Sequence, residues 1–157
     1  MKRIGILTAG GDTPALNAAI HGAVVRANEL KIEIFGFIKG FNSFFNPKVP
    51  HVHLNPLFQS IPELDATKGG TLIGSSRDYV DPNNVAELNE ITDRLRKLGI
   101  DGLIAVGGDG TLNGLQPLTE RFQDLRNFLQ LALSGLAPAR SQEGRRAIAG
   151  QSMCMTF

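Results

Sequence analysis

The stretch Ile4-Gly5-Ile6-Leu7-Thr8-Ala9-Gly10-Gly11-Asp12 sets the fold class of this chain. Ile4 to Thr8 is an apolar run of strand length without polar alternation, the pattern of a strand buried on both faces in a parallel sheet. The run stops at Gly10-Gly11-Asp12. Leu16 to Leu30 then carries Leu16, Ile20, Val24, Ala27 and Leu30 at helical spacing. That spacing predicts a helix entered through Asp12-Thr13-Pro14, with proline near its first turn.

The same order recurs along the chain. Ile32 to Ile38 reads as a second strand, and Asn83 to Leu98 as an amphipathic helix. That helix places Val85, Leu88, Ile91, Leu95 and Leu98 on one side and has Gly99 as its stop. Asp101 to Val106 is the next buried strand. It ends in a second Gly-Gly-Asp, Gly107-Gly108-Asp109, with Gly110-Thr111 after it and a further helix beginning in Asn113 to Phe122. Between these units, Gly40 to Pro62 reads as loop with a short extra strand at His51-Val52-His53. Lys68 to Arg77 is a second glycine-rich segment. Alternating strands and helices imply an α/β layer with parallel strands and right-handed crossovers. Ligands in such sheets bind beyond the carboxyl ends of the strands. Both Gly-Gly-Asp turns fall there, so a single pocket can use both.

Composition sets the outer bounds. The 157 residues, 42% hydrophobic and 20% charged, fit one compact domain. A net charge of +1 gives no electrostatic basis for a nucleic-acid or acidic-membrane partner. No apolar run approaches the roughly 18 residues of a membrane span. Met1-Lys2-Arg3 leads into a strand rather than a signal peptide. The single cysteine, Cys154, forms no intrachain disulfide, and a reducing, cytoplasmic location is the default expectation.

The turns carry the chemistry. Glycines let the backbone bend sharply and approach a ligand, and the helix start behind them offers unpaired N–H groups to an anion. An aspartate there adds a hard oxygen ligand for a magnesium ion accompanying a phosphate. Asp109 is the sharpest such residue. A carboxylate at the end of a buried strand is costly unless it meets a cation or donors, although it also serves as an N-cap. Gly69-Gly70-Thr71 with Gly74-Ser75-Ser76-Arg77 is either a loop under the sheet or a segment presenting hydroxyls and a guanidinium to phosphate. His21, His51 and His53 have no metal-ligand spacing, and Phe35, Phe37, Phe41, Phe44 and Phe45 read as core and loop anchors.

Three segments in order, Ile4 to Ile20, Gly69 to Arg77 and Gly107 to Thr111, resemble the amino-terminal half of a phosphofructokinase, over residues 1 to about 122. Lipid and NAD kinases share the Gly-Gly-Asp-Gly-Thr turn but not the first two segments. The resemblance implies a Rossmann-like parallel sheet layer with flanking helices, the truncated first domain of that family. It also implies transfer of the ATP γ-phosphate to fructose 6-phosphate in glycolysis, with Mg2+ neutralising charge, in a homo-oligomer. By the same resemblance Gly11 lies against the nucleotide phosphates, Arg77 and Asp78 contact ATP, and Gly108, Asp109, Gly110 and Thr111 wrap the phosphates, with Asp109 on the metal. Glycine at position 110 goes with ATP, whereas aspartate there goes with pyrophosphate. Ala15 replaces a glycine of the family's first motif. His21 stands where bacterial members often carry an effector-binding arginine, which speaks against allosteric control by a nucleotide.

Beyond about residue 122 the sequence departs from the family. No lysine follows Lys97, no valine follows Val106, and Ile148 is the only isoleucine after Ile104. Asp124 to Leu133 reads as helix where an α/β domain should supply another strand, which leaves a sheet edge uncovered. The family's Thr-Ile-Asp-Asn-Asp motif, whose first aspartate takes the sugar hydroxyl proton, does not occur after Thr111, so no catalytic residue is assigned. Residues 123–157 are therefore expected to be a tail from a frameshifted or truncated reading frame, and the chain inactive. The alternatives are a pyrophosphate-dependent relative and a non-catalytic nucleotide-binding fragment.

Overall fold

The computed structural model describes residues 2–10, 13, 15–46, 48, 50–78, 80–81, 83–108, 111, 115 and 117–118, and the backbone of 127–132. Strands are β1 (Arg3–Ala9), β2 (Glu33–Phe37), β3 (His51–His53), β4 (Ser75–Ser76), β5 (Gly102–Gly107) and β6 (Asn127–Ala132). Helices are α1 (Ala15–Glu29), α2 (Asn42–Phe45) and α3 (Val85–Lys97). The sheet order is β3-β2-β1-β5-β6, and β4 pairs the end of β1. Every pairing is parallel except β2 with β3.

Period-two alternation divides the core between the two sheet faces. Leu7, Ala9, Phe37, Leu103 and Ala105 pack with Leu88, Ile91 and Leu95 of α3 and with Phe41 and Phe44. Ile6, Ile34 and Val106 pack with Leu16, Ile20, Val24 and Ala27 of α1 and with Leu54 and Ile73. Helices thus cover both faces, and β1 runs through the middle of an α/β sandwich. Gly5 is required there, since a Cβ would collide with the Phe37 ring, which fills the space instead.

α3 is delimited by its own sequence. Asn84 caps it by accepting from the Glu87 N–H at 3.2 Å, Glu87 lies in its first turn, and Arg94, Arg96 and Lys97 lie in its last. Gly99, at φ +67°, and Ile100 donate back to Arg96 and Leu95, closing a Schellman motif. The predicted apolar side is buried at Leu88, Ile91 and Leu95, but Val85 is 51% exposed. Val85 is the first helical residue, one turn short of the sheet face.

Two expectations are corrected. Residues 42–45, read as loop, form α2, because burying both Phe41 and Phe44 at 0% exposure requires a helical turn between them. Residues 124–133, read as helix, contain β6, whose backbone pairs with β5 from Gly102↔Asn127 to Gly107↔Ala132. The open hydrogen-bonding edge of β5 outweighs local helical spacing, and that edge is paired rather than uncovered. The helix expected in Asn113 to Phe122 falls mostly outside the described residues, although Thr111, Leu115, Pro117 and Leu118 are helical. No described helix is long and apolar enough to cross a membrane.

Candidate functional site

Register brings three turns to one height at the carboxyl edge. Thr8 is level with Ser75 on one side and Val106 on the other, and Ala9 pairs with Ser76. One residue further, Gly10, Arg77 and Gly108 therefore emerge side by side. Gly10 sits at φ +90°, a conformation suited to glycine. Its N–H donates to the Ser76 carbonyl at 2.9 Å, and its carbonyl accepts from the Ser75 hydroxyl at 3.1 Å. A Cβ at Gly10 would lie 3.8 Å from Thr111 Oγ1 and 4.0 Å from the Gly108 nitrogen, so Gly10 is a neighbour of Gly108 and Thr111.

The second turn is tight at its first glycine and open at its next. At Gly107 a Cβ would meet the Thr111 hydroxyl and the Ala9 carbonyl, whereas at Gly108 it would meet nothing within 4 Å. Thr111 is buried and donates its N–H to the Gly108 carbonyl at 2.9 Å. Arg77 and Asp78 are exposed just past β4, and Asp78 Oδ2 accepts from Asn42 Nδ2 at 3.2 Å. Among the described residues Arg77 makes no salt bridge. Ser76 Oγ is buried without a hydrogen-bond partner among those residues. Backbone space at Gly108, an exposed arginine at the backbone position level with it and an orphaned Ser76 hydroxyl fit an anionic phosphate chain.

Of the residues expected at this site, Arg77, Asp78, Gly108 and Thr111 come together at the carboxyl edge. Gly11, Asp109 and Gly110 lie outside the described residues, as does Asp12. Among the described residues no three His, Cys, Asp or Glu side chains group as a metal site. A separate groove lined by His51, Glu90, Asp93 and Arg94 lies on the α3 face and includes none of the glycine turns. The phenylalanine cluster is core, as expected, with Phe37, Phe41 and Phe44 at 0% exposure. Among the described residues, four buried polar side chains have no role assigned from the sequence: Thr8, Asn17, Ser43 and Asn55. The available signal at Asn17 was an amide on the apolar side of the α1 pattern, beside Leu16 and Ile20.

A family model for phosphofructokinase matches residues 3–137. The chain belongs to the phosphofructokinase family. It is 39% identical over 122 residues to the ATP-dependent 6-phosphofructokinase of Haemophilus influenzae, and 37% over 123 residues to that of Bacillus cereus. These alignments cover 76% and 77% of the chain but only 36% of each relative, so the chain spans about a third of their length. Among solved structures, phosphofructokinase from Saccharomyces cerevisiae aligns at TM-score 0.65 with 23% identity, over 85% of this chain and 20% of that one. A pyrophosphate-dependent phosphofructokinase from Nitrosospira multiformis aligns at 0.63 with 16% identity, over 79% and 31%. At those identities the structural likeness establishes the fold alone. The α/β class and the family resemblance expected from the three motifs are both borne out.

Proposed function

We propose that this chain carries the phosphoryl-donor half of an ATP-dependent 6-phosphofructokinase and binds Mg·ATP across the carboxyl ends of β1, β4 and β5. The observation that carries this reading is the common height of Gly10, Arg77 and Gly108 at one sheet edge. In this reading Gly11 and the turn from Gly108 to Thr111 lie against the phosphates, and their backbone N–H groups meet the anionic oxygens. The Arg77 guanidinium adds a planar, charged donor pair, and Asp78, held by Asn42, lines the nucleotide side. Asp109 holds the magnesium ion. Mg·ATP supplies the transferable phosphoryl group and the charge neutralisation that in-line transfer needs.

The acceptor side is a different matter. Residues 112–157 carry no Thr-Ile-Asp-Asn-Asp segment to take the proton of a sugar hydroxyl. Positioning and deprotonation of the acceptor are what phosphoryl transfer requires beyond the donor. We therefore assign this chain by itself nucleotide binding without turnover of fructose 6-phosphate. The glycolytic reaction, a cytoplasmic setting and homo-oligomer assembly are carried over from the family as part of the proposal. The division of the chain near residue 122 is proposed on the composition change beyond it, with β6 contributed from the far side of that point.

A second reading takes pyrophosphate as the donor, because a pyrophosphate-dependent phosphofructokinase shares the fold at TM-score 0.63, although likeness of fold does not select the donor. Gly110 and the ATP-dependent relatives favour ATP. Calorimetric titration of the purified chain with Mg·ATP and with Mg·pyrophosphate decides between them, and Asp109→Ala should weaken whichever binds. A coupled assay detecting ATP-dependent fructose 1,6-bisphosphate formation by the chain alone would refute the absence of turnover.

A further inference from the structure

Asn17 is a buried polar side chain, 5% exposed, in the first turn of α1. Its amide is bonded at both ends. Oδ1 accepts from the Leu72 N–H at 2.7 Å, and Nδ2 donates to the Lys68 carbonyl at 3.0 Å and the Gly69 carbonyl at 3.4 Å. All three partners lie in the glycine-rich segment that ends at Arg77. With Gly69, Gly70 and Gly74, that segment has wide backbone freedom of its own. Its Lys68, Gly69 and Leu72 are exposed, and Ile73 is the residue it buries.

Hydrogen bonds therefore hold the segment in place. Thr8 Oγ1 donates to the Gly74 carbonyl at 2.8 Å and lies 3.0 Å from Thr71 Oγ1, and the Lys39 N–H donates to the Ile73 carbonyl at 2.7 Å. Immediately beyond, Ser75 and Ser76 join β1 and hold Gly10. A shift of residues 68–72 is thus passed through β4 to Arg77 on one side and to the Gly10 turn on the other. An apolar side chain at position 17 would fill the same volume but leave the Leu72 N–H and two carbonyls without their partner. A buried amide kept at that cost has a placement role.

We infer that Asn17 is a positioning residue. It clamps residues 68–72 to the start of α1, and so sets Arg77 at the height of the Gly10 and Gly108 turns, where all three can meet one phosphate chain. The clamp touches no ligand itself. Its functional consequence rests on the donor-site reading, while its structural consequence does not.

The test uses the full chain with Asn17→Ala, Arg77→Ala and the double variant. Amide hydrogen exchange followed by NMR should show about tenfold faster exchange at Leu72 and Gly10 in Asn17→Ala, with the central amides of β1 and β5 unchanged. Mg·ATP affinity should fall about tenfold, the scale seen when supporting contacts behind a binding group are removed. Adding Arg77→Ala to Asn17→Ala should then cost far less than Arg77→Ala alone costs the wild type, because Arg77 is already displaced. Additive losses, or wild-type exchange at Gly10, overturn the inference. If alanine unfolds the chain, Asn17→Asp carries the same comparison, since it keeps an acceptor for Leu72 and loses the donors to Lys68 and Gly69. Should the wild type bind no Mg·ATP, the donor-site reading falls. Exchange at Gly10 then decides the clamp alone, tenfold acceleration supporting it and none refuting it.

Discussion

Replacing Gly107 and Gly108 by alanine, one at a time, separates the packing role of the second Gly-Gly-Asp turn from its proposed ligand role. At Gly107 the new methyl would sit on the Thr111 hydroxyl, 2.5 Å from the Ala9 carbonyl oxygen and 2.8 Å from Thr111 Cβ. Real Cβ contacts do not come that close, and β1 cannot yield because it is paired on both sides. Overpacking of this kind costs about 1–3 kcal/mol, and collision with backbone puts Gly107→Ala near the upper end. For a chain of this size that is a fall in Tm of about 6–12 °C.

Gly108→Ala should behave in the opposite way. Among the described residues, chain neighbours aside, nothing lies within 4 Å of its Cβ position and its φ is not left-handed, so stability should stay within about 0.5 kcal/mol of wild type. In the proposed site the methyl would instead occupy the space through which a phosphate approaches the Gly108 backbone. A tenfold loss of Mg·ATP affinity, about 1.4 kcal/mol, is the expected scale. Thermal melts by circular dichroism and calorimetric titration with Mg·ATP read both effects on the same preparations. The reasoning fails if Gly107→Ala melts with the wild type, or if Gly108→Ala binds Mg·ATP as tightly as a wild type that binds it.

Further substitutions test the surrounding frame. Asn84→Ala removes the acceptor for the Glu87 N–H and should cost about 1 kcal/mol in urea denaturation, with the slope unchanged. Gly99→Ala has steric room, its Cβ lying 3.6 Å from the Arg3 guanidinium, so its expected loss of about 1 kcal/mol comes from φ +67° alone. The Thr67 hydroxyl and N–H both donate to Asp65 and, helped by Lys68 and His21, hold its carboxyl below the usual aspartate range. A depressed folded pKa contributes stability above the unfolded value, and that contribution is lost as pH falls through the folded one. Thr67→Ala should therefore move the Asp65 carboxyl titration, followed by NMR, to higher pH; an unmoved midpoint would show that Thr67 is not the cause.

The parts of the fold legible in the sequence are those where local pattern and tertiary demand agree. Ile4 to Leu7 and Leu103 to Val106 carry no polar side chain because both strands are covered on both faces, and Gly99 ends α3 because its position needs a left-handed φ. Residues 42–45 and 127–132 depart from their local sequence pattern because their conformation is decided by partners outside each segment. α2 exists to bury Phe41 and Phe44, and β6 exists because β5 offers an edge. At the site, Gly108, Thr111, Arg77 and Asp78 were legible as members of glycine-rich turns. Their common height was not, since it follows from registers between strands up to about a hundred residues apart in the chain.

The same registers explain why glycine recurs at the edge although only part of the edge faces a ligand. Gly107 is needed because Thr111 folds back over the end of β5, and Gly40, at φ +56°, because a Cβ there would lie 2.5 Å from the Thr8 carbonyl. Gly10 and Gly108 are not crowded in this way, for their Cβ positions have no neighbour closer than 3.8 Å. Crowding accounts for the first pair without any ligand. Gly10 still needs its positive φ, but among the described residues no contact requires glycine at 108. A glycine with steric room and no left-handed φ, placed between a buried strand and a helix start, is a position where a side chain would obstruct the ligand of the proposed site. Gly108 is that position, and it is where the donor phosphates are placed in the proposal.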